Sequence, residues 1–184
     1  MTGYQQAILY LNGSVQGDTP SHGLPRFIVR NVDKFYIDAV ADLFSANIYC
    51  QRRNAPGKRD YWCIKDSFVA KPSLADVSDW HGFCRAFVEL QGSLALWQRR
   101  NRRGEYISIP RLRIYGAEGD LLAIASHLPV APKKMQYLRT QTGSTCMLAY
   151  QSPAEVLTIL HFLDGTPRNN AVWAKWSTAL SLPL

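Results

Sequence analysis

The chain has 184 residues and a net charge of +7, from 21 Lys and Arg against 14 Asp and Glu, which favours a polyanionic partner. Its hydrophobic content of 47% is enough for a sizeable core in one or two small domains. No apolar run approaches the roughly 18 residues of a membrane span, and the amino terminus lacks a secretory signal. We therefore expect an intracellular protein, from a bacterial or phage cytoplasm or from an organelle.

The first half, residues 1–77, is predicted to form one structural unit. Apolar residues at helical spacing begin at Tyr4, and Thr2 with Gln5 offers a capping box for that helix. The later segments alternate between β-branched or aromatic runs and a second helical pattern. In chain order we predict a helix over 4–17, a strand over 26–30, a helix over 34–46 and a hairpin of strands 47–53 and 59–65.

The second half, residues 78–184, is predicted to repeat this order. Ser78 is a plausible cap for the first helix, and Gly92 ends it. Ser152, Pro153 and Glu155 together predict the start of a later helix. The predicted elements are a helix over 79–91, strands 93–98 and 105–115, a helix over 118–128, a hairpin of strands 135–140 and 145–151, and helices over 153–164 and 166–180.

The four cysteines, Cys50, Cys63, Cys84 and Cys146, show no short paired spacing. Three of them lie in apolar runs, so buried reduced thiols are favoured over disulfides or a zinc site.

A similar five-residue segment, which we call the repeated phrase, occurs once in each half. Pro25-Arg26-Phe27-Ile28-Val29 and Pro110-Arg111-Leu112-Arg113-Ile114 each lead into an apolar periodic segment, and each follows a hydrophobic stretch that ends at glycine or a polar residue. Two like halves predict a pseudo-twofold molecule, and such molecules commonly bind a pseudo-symmetric partner. Duplex DNA is the obvious candidate.

The ordered pattern resembles the LAGLIDADG homing endonucleases in their single-chain form. The segment 10–18, YLNGSVQGD, matches the first motif of that family with both glycines and the final acid, and the segment 84–93, CRAFVELQGS, matches the second with its trailing Gly-Ser. The resemblance implies an α+β fold of two pseudo-twofold-related αββαββα repeats, whose antiparallel sheets form a DNA-binding saddle. It also implies that the two motif helices pack together, with Gly13 and Gly17 allowing close approach opposite Ala86.

The same resemblance implies a catalytic site at the ends of the motif helices, where each helix of the family delivers one acid. Asp18 and Gln91 stand at the catalytic positions, and Asp18, Gly17, Gln91 and Leu90 are the implied ligands of Mg²⁺ or another divalent cation such as Mn²⁺. Because Gln91 carries no charge, cleavage is expected to be impaired or limited to nicking. Glu89 is expected to face elsewhere, since two residues turn a helix by about 200°.

Basic residues are expected to contact nucleic acid from the hairpin tips and from the strands. Tip residues would contact phosphates, while strand residues could read base edges. Trp97 is the tryptophan that could face the groove, and the others are expected in the core. The predicted contact residues are Arg26, Arg30, Arg52, Arg53, Lys58, Arg59, Arg99, Arg100, Arg102, Arg103, Arg111, Arg113 and Arg139.

Three functions stay open from the sequence. The first is a monomeric, metal-dependent endonuclease that cuts a long pseudo-palindromic DNA duplex. The second is a catalytically inactive descendant that binds DNA or structured RNA, such as an intron maturase or an RNA-bound structural protein; Gln91 favours it. The third is an unrelated α/β interaction domain with an accidental repeat.

Overall fold

The computed structural model describes residues 1–16, 26–52, 57, 59–67, 72–140, 143–163 and 179–180. The first repeat contains α1 (Gly3–Asn12), β1 (Gly13–Gln16), β2 (Arg26–Asn31), α2 (Lys34–Phe44), β3 (Ile48–Gln51) and β4 (Tyr61–Ser67). A 3-10 turn, Leu74–Asp76, precedes the second repeat. The second repeat contains α3 (Trp80–Gln91), β5 (Gly92–Arg100), β6 (Tyr106–Gly116), α4 (Glu118–His127), β7 (Gln136–Thr140), β8 (Gly143–Tyr150) and α5 (Pro153–Phe162).

Each repeat folds its strands into a four-stranded antiparallel sheet of the same topology. The strand orders are β1-β2-β4-β3 and β5-β6-β8-β7, so the second and fourth strands of each repeat lie side by side at the sheet centre. The predicted α+β class with two like antiparallel sheets is confirmed. Trp173, Trp176 and most of the predicted terminal helix lie outside the described residues, although Ala179 and Leu180 are helical.

Each sheet has its own apolar core beneath the helices of its repeat. In the first, Ile37 and Val40 of α2 pack with Phe27, Val29 and Ile64 of the sheet. In the second, a larger cluster joins α3, α4 and α5 to β6 and β8. None of the helices in the described part of the chain has the length and apolar character that a bilayer crossing needs.

The motif helices α1 and α3 share a capping residue. The carboxylate of Asp79 accepts from the backbone N–H of Gly82, which caps α3, and its other oxygen accepts from the backbone N–H of Gly3, both at 2.9 Å. The cap of α3 is therefore Asp79 and not the predicted Ser78, whereas the predicted Thr2–Gln5 capping box of α1 is confirmed. One carboxylate thus ties the amino-terminal ends of both helices together.

Close approach of α1 and α3 depends on Gly3 and not on the predicted Gly13, while the predicted role of Gly17 falls outside the described residues. A Cβ on Gly3 would stand 1.8 Å from the Asp79 carbonyl oxygen, so no larger residue fits there. Ala7 of α1 and Ala86 of α3 are both fully buried, as expected for small residues where two helices meet. Gly13 lies beyond the helix, and Gly17 is outside the described residues.

The first motif helix is shorter than predicted. We predicted a helix over 4–17 with Asp18 directly after it, but α1 ends at Asn12 and Gly13 starts β1 with extended backbone. The prediction is wrong because Val15, which continues the helical spacing from Leu11, is paired with Phe27 in the sheet. Gly13 packs so tightly on Phe27 that a Cβ there would lie 1.6 Å from the ring. This packing turns the chain from helix to strand five residues earlier than the pattern suggests.

Thiol accessibility offers a simple check on the fold. Cys63, Cys84 and Cys146 are buried, as predicted for three of the four cysteines, and Cys50 is exposed. Burial raises the pKa of Cys84 to about 12, which further suppresses its thiolate. We expect one thiol to react rapidly with a disulfide reagent in native protein and all four after denaturation. Cys50→Ser should remove the fast phase, and a second fast thiol in that variant would contradict the fold.

Candidate nucleic-acid interface and the motif helix ends

The two motif helices end in the same way. Asn12 is the last residue of α1 and Gln91 the last of α3, and each is followed at once by a glycine that starts the first strand of its sheet. Gly13 pairs with Val29, and Gly92 pairs with Ile114. Because Val29 and Ile114 close the two copies of the repeated phrase, Asn12 and Gln91 occupy equivalent positions. The residue equivalent to Gln91 is therefore Asn12.

Both helix ends present neutral amides. The Asn12 side-chain amide donates a 2.8 Å hydrogen bond to the Tyr36 hydroxyl. Burial raises the pKa of Tyr36 to about 12, which the bond from Asn12 opposes, so the phenol stays protonated at neutral pH. Gln91 is half-buried at the matching end of α3. Neither end carries charge of its own.

Such a donor set does not fit a hard divalent cation. These cations prefer carboxylate oxygens, whereas Asn12, Gln91 and the backbone carbonyl of Leu90 supply only neutral ones. Within the described ranges, no group of three or more His, Cys, Asp or Glu could hold a metal ion. Gly17 and Asp18 lie outside those ranges, so their predicted ligand roles stay predictions.

Glu89 does not substitute for the missing acid, as predicted from its rotation on the helix. Its carboxylate is buried, accepts a 2.5 Å hydrogen bond from Arg85 Nε and accepts another from the Tyr4 hydroxyl. Arg85 also donates to the Leu163 backbone carbonyl. Glu89 therefore belongs to a buried ion pair within α3, bonded to Tyr4 of α1, and these partners engage its carboxylate.

The sheet faces opposite the helices form the candidate interface, which we call the saddle face. Side chains alternate across a strand, so the residues that alternate with the core positions belong to it. In the first repeat these are Ser14, Ile28, Arg30, Tyr49, Gln51, Tyr61, Cys63 and Lys65. In the second they are Ser93, Ala95, Trp97, Arg99, Ile107, Ile109, Arg111, Arg113, Tyr115, Gln136, Leu138, Thr145, Met147 and Ala149.

The saddle face is cationic. Among its described side chains there is no Asp or Glu, while Arg30, Lys65, Arg99 and Arg113 are exposed on it and Arg111 is half-buried. Lys65 was missed from the sequence because only the register, which pairs it with Ile28, assigns it to this face. Its ammonium lies over the Tyr49 ring, 5.4 Å from the centroid. The face therefore combines positive charge with aromatic surface.

The β5–β6 hairpin carries a basic tip. The Asn101 side chain orders the turn by accepting hydrogen bonds from the backbone N–H groups of Arg103 and Glu105 at 2.9 and 3.0 Å. Gly104 supplies the positive φ of 83° that the turn needs. Arg102 and Arg103 are exposed there, at the predicted tip.

Not every predicted basic residue lies on the saddle face. Arg139 alternates with Leu138 and shares the helix-side face with Tyr137, whose hydroxyl donates to Glu118 of α4. Arg100 is also on the helix-side face, over the Tyr106 ring. Arg52 and Arg59 are exposed just outside β3 and β4, and Arg26 is the first residue of β2. Arg53 and Lys58 lie outside the described residues.

Trp97 faces the saddle, as the sequence suggested. Its ring stacks under the Arg111 guanidinium, whose Cζ lies 3.8 Å from the ring centroid, and the residue remains 48% exposed. A hollow of about 270 Å³ opens beside this pair, lined by Ser93, Ala95, Leu96, Trp97, Arg111 and Arg113.

Comparisons with known proteins identify the fold. No protein-family profile and no curated protein sequence matches the chain. Solved structures do: I-SmaMI bound to uncleaved DNA target in the presence of calcium ions matches with a TM-score of 0.61 at 9% identity, over 98% of this chain and 91% of that one. The I-LtrWI LAGLIDADG homing endonuclease bound to target DNA matches with a TM-score of 0.61 at 12% identity, over 97% and 88%. The chain has the LAGLIDADG homing endonuclease fold.

The LAGLIDADG motif makes the helix ends directly comparable. The letters of its name close with Asp-Gly, and this chain has Asn12-Gly13 and Gln91-Gly92 where each helix gives way to a strand. The residue of the first repeat that corresponds to the family's acid is therefore Asn12, six residues before the predicted Asp18. In both LAGLIDADG-type repeats an amide stands where the resemblance implies an acid.

Proposed function

We propose that this chain is a nucleic-acid-binding protein that uses the LAGLIDADG-type saddle to hold a duplex and does not hydrolyse it. The observation that carries the proposal is the matched pair of amides, Asn12 and Gln91, at the two helix ends. Loss of one acid would leave one strand to be cut, whereas neutral residues at both positions remove the charge that would hold a cation at either.

Retention of the binding surface supports the other half of the proposal. The described saddle face carries five basic residues and no acidic ones, and the hairpin tip adds Arg102 and Arg103. Such a face suits the phosphate backbone of a duplex, and a two-stranded ribbon can enter its major groove. The structural neighbours I-SmaMI and I-LtrWI are bound to DNA targets, which supports DNA as the partner.

The competing hypothesis is a metal-dependent endonuclease in which Asp18, with Gly17, Leu90 and Gln91, supplies the site for Mg²⁺. Supercoiled plasmid incubated with Mg²⁺ or Mn²⁺ separates the two hypotheses. We expect native protein to leave the plasmid uncut at protein excess, and Asp18→Asn to behave identically. Nicking by native protein that Asp18→Asn abolishes would overturn the non-cleaving proposal in favour of the endonuclease.

Binding itself is tested by its dependence on salt. We expect the logarithm of the affinity for a fluorescent DNA duplex to fall linearly with the logarithm of salt concentration, with a slope of roughly −0.9 per phosphate contact. Arg30→Ala and Arg99→Ala, which remove exposed saddle-face charges, should each reduce the slope by about 1.

Lys34→Ala is the matched control for these charge deletions. Lys34 is exposed on α2, on the helix side of the first sheet, where it pairs with Asp38 at 2.6 Å. Lys34→Ala should leave the slope of log affinity against log salt concentration unchanged. Equal effects of Lys34→Ala and Arg30→Ala would show that net charge, and not the saddle face, governs binding.

A further inference from the structure

The hollow beside Trp97 has the construction of a binding site. Ser93 and Ala95 on β5 pair with Arg113 and Arg111 on β6, so two small side chains stand opposite two long ones. This difference in size leaves the hollow of about 270 Å³ on the saddle face. One wall is the Trp97–Arg111 stack, and Arg113 is exposed at the other end.

The groups around this hollow are suited to a flat, polar-edged ring. Arg111 is held by its stack on Trp97, and its Nε is buried without a hydrogen-bond partner among the described residues. Arginine can donate two parallel bonds to O6 and N7 of guanine. Nearly half of the Trp97 side chain stays open, which leaves aromatic surface for stacking.

A paired base cannot use such a site fully. Inside a duplex each base is covered on both faces by its neighbours, so only its groove edges are accessible, whereas an unpaired base can stack on an aromatic side chain and offer its other edges. An exposed tryptophan adds little to reading groove edges, which are read mainly by hydrogen bonds. The combination of ring, guanidinium and hollow therefore favours a base that has left the stack.

The first repeat differs from the second at the position equivalent to one end of this hollow. Where Arg113 pairs with Ser93 in the second repeat, the buried Ile28 pairs with Ser14 in the first. The strand β5 carries Trp97 near its middle, whereas the chain beyond Gln16, where β1 would reach the equivalent place, lies outside the described residues. The two repeats are alike in scaffold, but this feature belongs to the second repeat.

We propose that the hollow formed by Ser93, Ala95, Trp97, Arg111 and Arg113 is a subsite for one unpaired nucleobase of a duplex interrupted by a bulge or loop. The inference rests on the proposed nucleic-acid-binding function and narrows it to a partner class. The base stacks on Trp97, and the guanidinium groups contact its edge or its phosphate.

Fluorescence anisotropy with three probes tests the subsite: a perfect duplex, the same duplex with one bulged guanine, and a single strand, each made as DNA and as RNA. We expect native protein to prefer the bulged duplex, and Trp97→Ala to lose roughly 5- to 150-fold in affinity for it, the range for deleting one base–aromatic stack. Because Trp97 lies on the saddle face, Trp97→Ala should also lose affinity for the perfect duplex, but less than for the bulged one, since only the bulged duplex offers a base to stack on the ring. Trp97→Phe should retain most of the preference because it keeps a ring.

Tyr137→Ala is the control, since Tyr137 is an exposed aromatic residue on the opposite face of the same sheet. It should leave the preference intact, and thermal unfolding of each variant confirms that it is folded. A fluorescent base analogue at the bulge should be quenched by native protein and not by Trp97→Ala.

Two outcomes overturn the subsite while leaving the binding function standing. One is equal affinity of native protein for bulged and perfect duplexes; the other is an equal loss for both probes in Trp97→Ala. Absence of salt-dependent binding to every probe would instead remove the proposed function itself. A preference confined to the RNA or to the DNA bulge supports the subsite and identifies the type of nucleic acid that supplies the unpaired base.

Discussion

Glu89→Gln is expected to lower the free energy of unfolding by about 3–5 kcal/mol. The Arg85 and Glu89 side chains are 5% and 2% exposed and form an ion pair within α3, so the substitution removes the carboxylate charge from a buried pair. It also weakens the bond from the Tyr4 hydroxyl, a group whose pKa burial has raised. Denaturant unfolding, analysed for the midpoint and the slope, measures the loss.

The chain provides a matched control for this prediction. Lys34 and Asp38 have the same helical spacing but are 50% and 41% exposed, so Asp38→Asn should cost less than about 1 kcal/mol. The double variant Arg85→Met/Glu89→Leu removes both charges together and should recover most of the stability. If Glu89→Gln proves as mild as Asp38→Asn, the ion pair is not buried as described.

The double variant Asn12→Asp/Gln91→Glu should gain a response to divalent cations that native protein lacks. Two carboxylates would stand at helix carboxyl ends, where the helix dipole disfavours them, so without metal the variant should unfold more easily. A cation held by both would offset this. At a Ca²⁺ concentration of about 100 times the dissociation constant, the gain is roughly 2.7 kcal/mol, or a rise in Tm of about 5–10 °C.

Thermal unfolding with and without Ca²⁺ or Mg²⁺ measures this response and does not depend on cleavage. Gln51→Glu/Gln136→Glu makes the same change in charge on β3 and β7, the edge strands on the far side of each sheet from β1 and β5, and should show no gain. A stabilisation of native protein as large as that of the double variant would mean that a cation site already exists, which would revive the endonuclease hypothesis.

Much of the architecture could be predicted from sequence because its signals are local. The Thr2–Gln5 capping box, Pro153 at the start of α5 and the arginine-rich turn around Asn101 each act through neighbours within a few residues. The hairpins could be predicted for the same reason, since β-branched and aromatic runs and turn residues are also local signals. The repeated phrase, with Arg26-Phe27 and Arg111-Leu112 at corresponding places in β2 and β6, revealed the two halves.

The candidate site was predicted less well because it depends on where α1 ends. Val15 extends the helical spacing of Leu11, and Gly17-Asp18 matches the end of the family motif. The local pattern therefore placed the end of the motif at Asp18, six residues after Asn12. The end of α1 is instead determined by the pairing of Val15 with Phe27 and by the contact of Gly13 with the Phe27 ring, which are contacts between residues distant in sequence. Asn12 consequently went unnoticed, although Asn12-Gly13-Ser14 parallels Gln91-Gly92-Ser93 in the sequence itself.

By itself, the sequence determined that the chain is basic, doubled and built of alternating helices and hairpins, since composition, caps and periodicity are properties of short segments. It also determined that Gln91 is uncharged. Only the tertiary structure showed that Asn12 and Gln91 occupy equivalent positions in the two repeats. It also assigned Lys65 to the saddle face and placed Arg111 over Trp97. Each of these depends on strand register or on the packing of one element against another, and such contacts join residues far apart in the chain, where no local pattern can specify them.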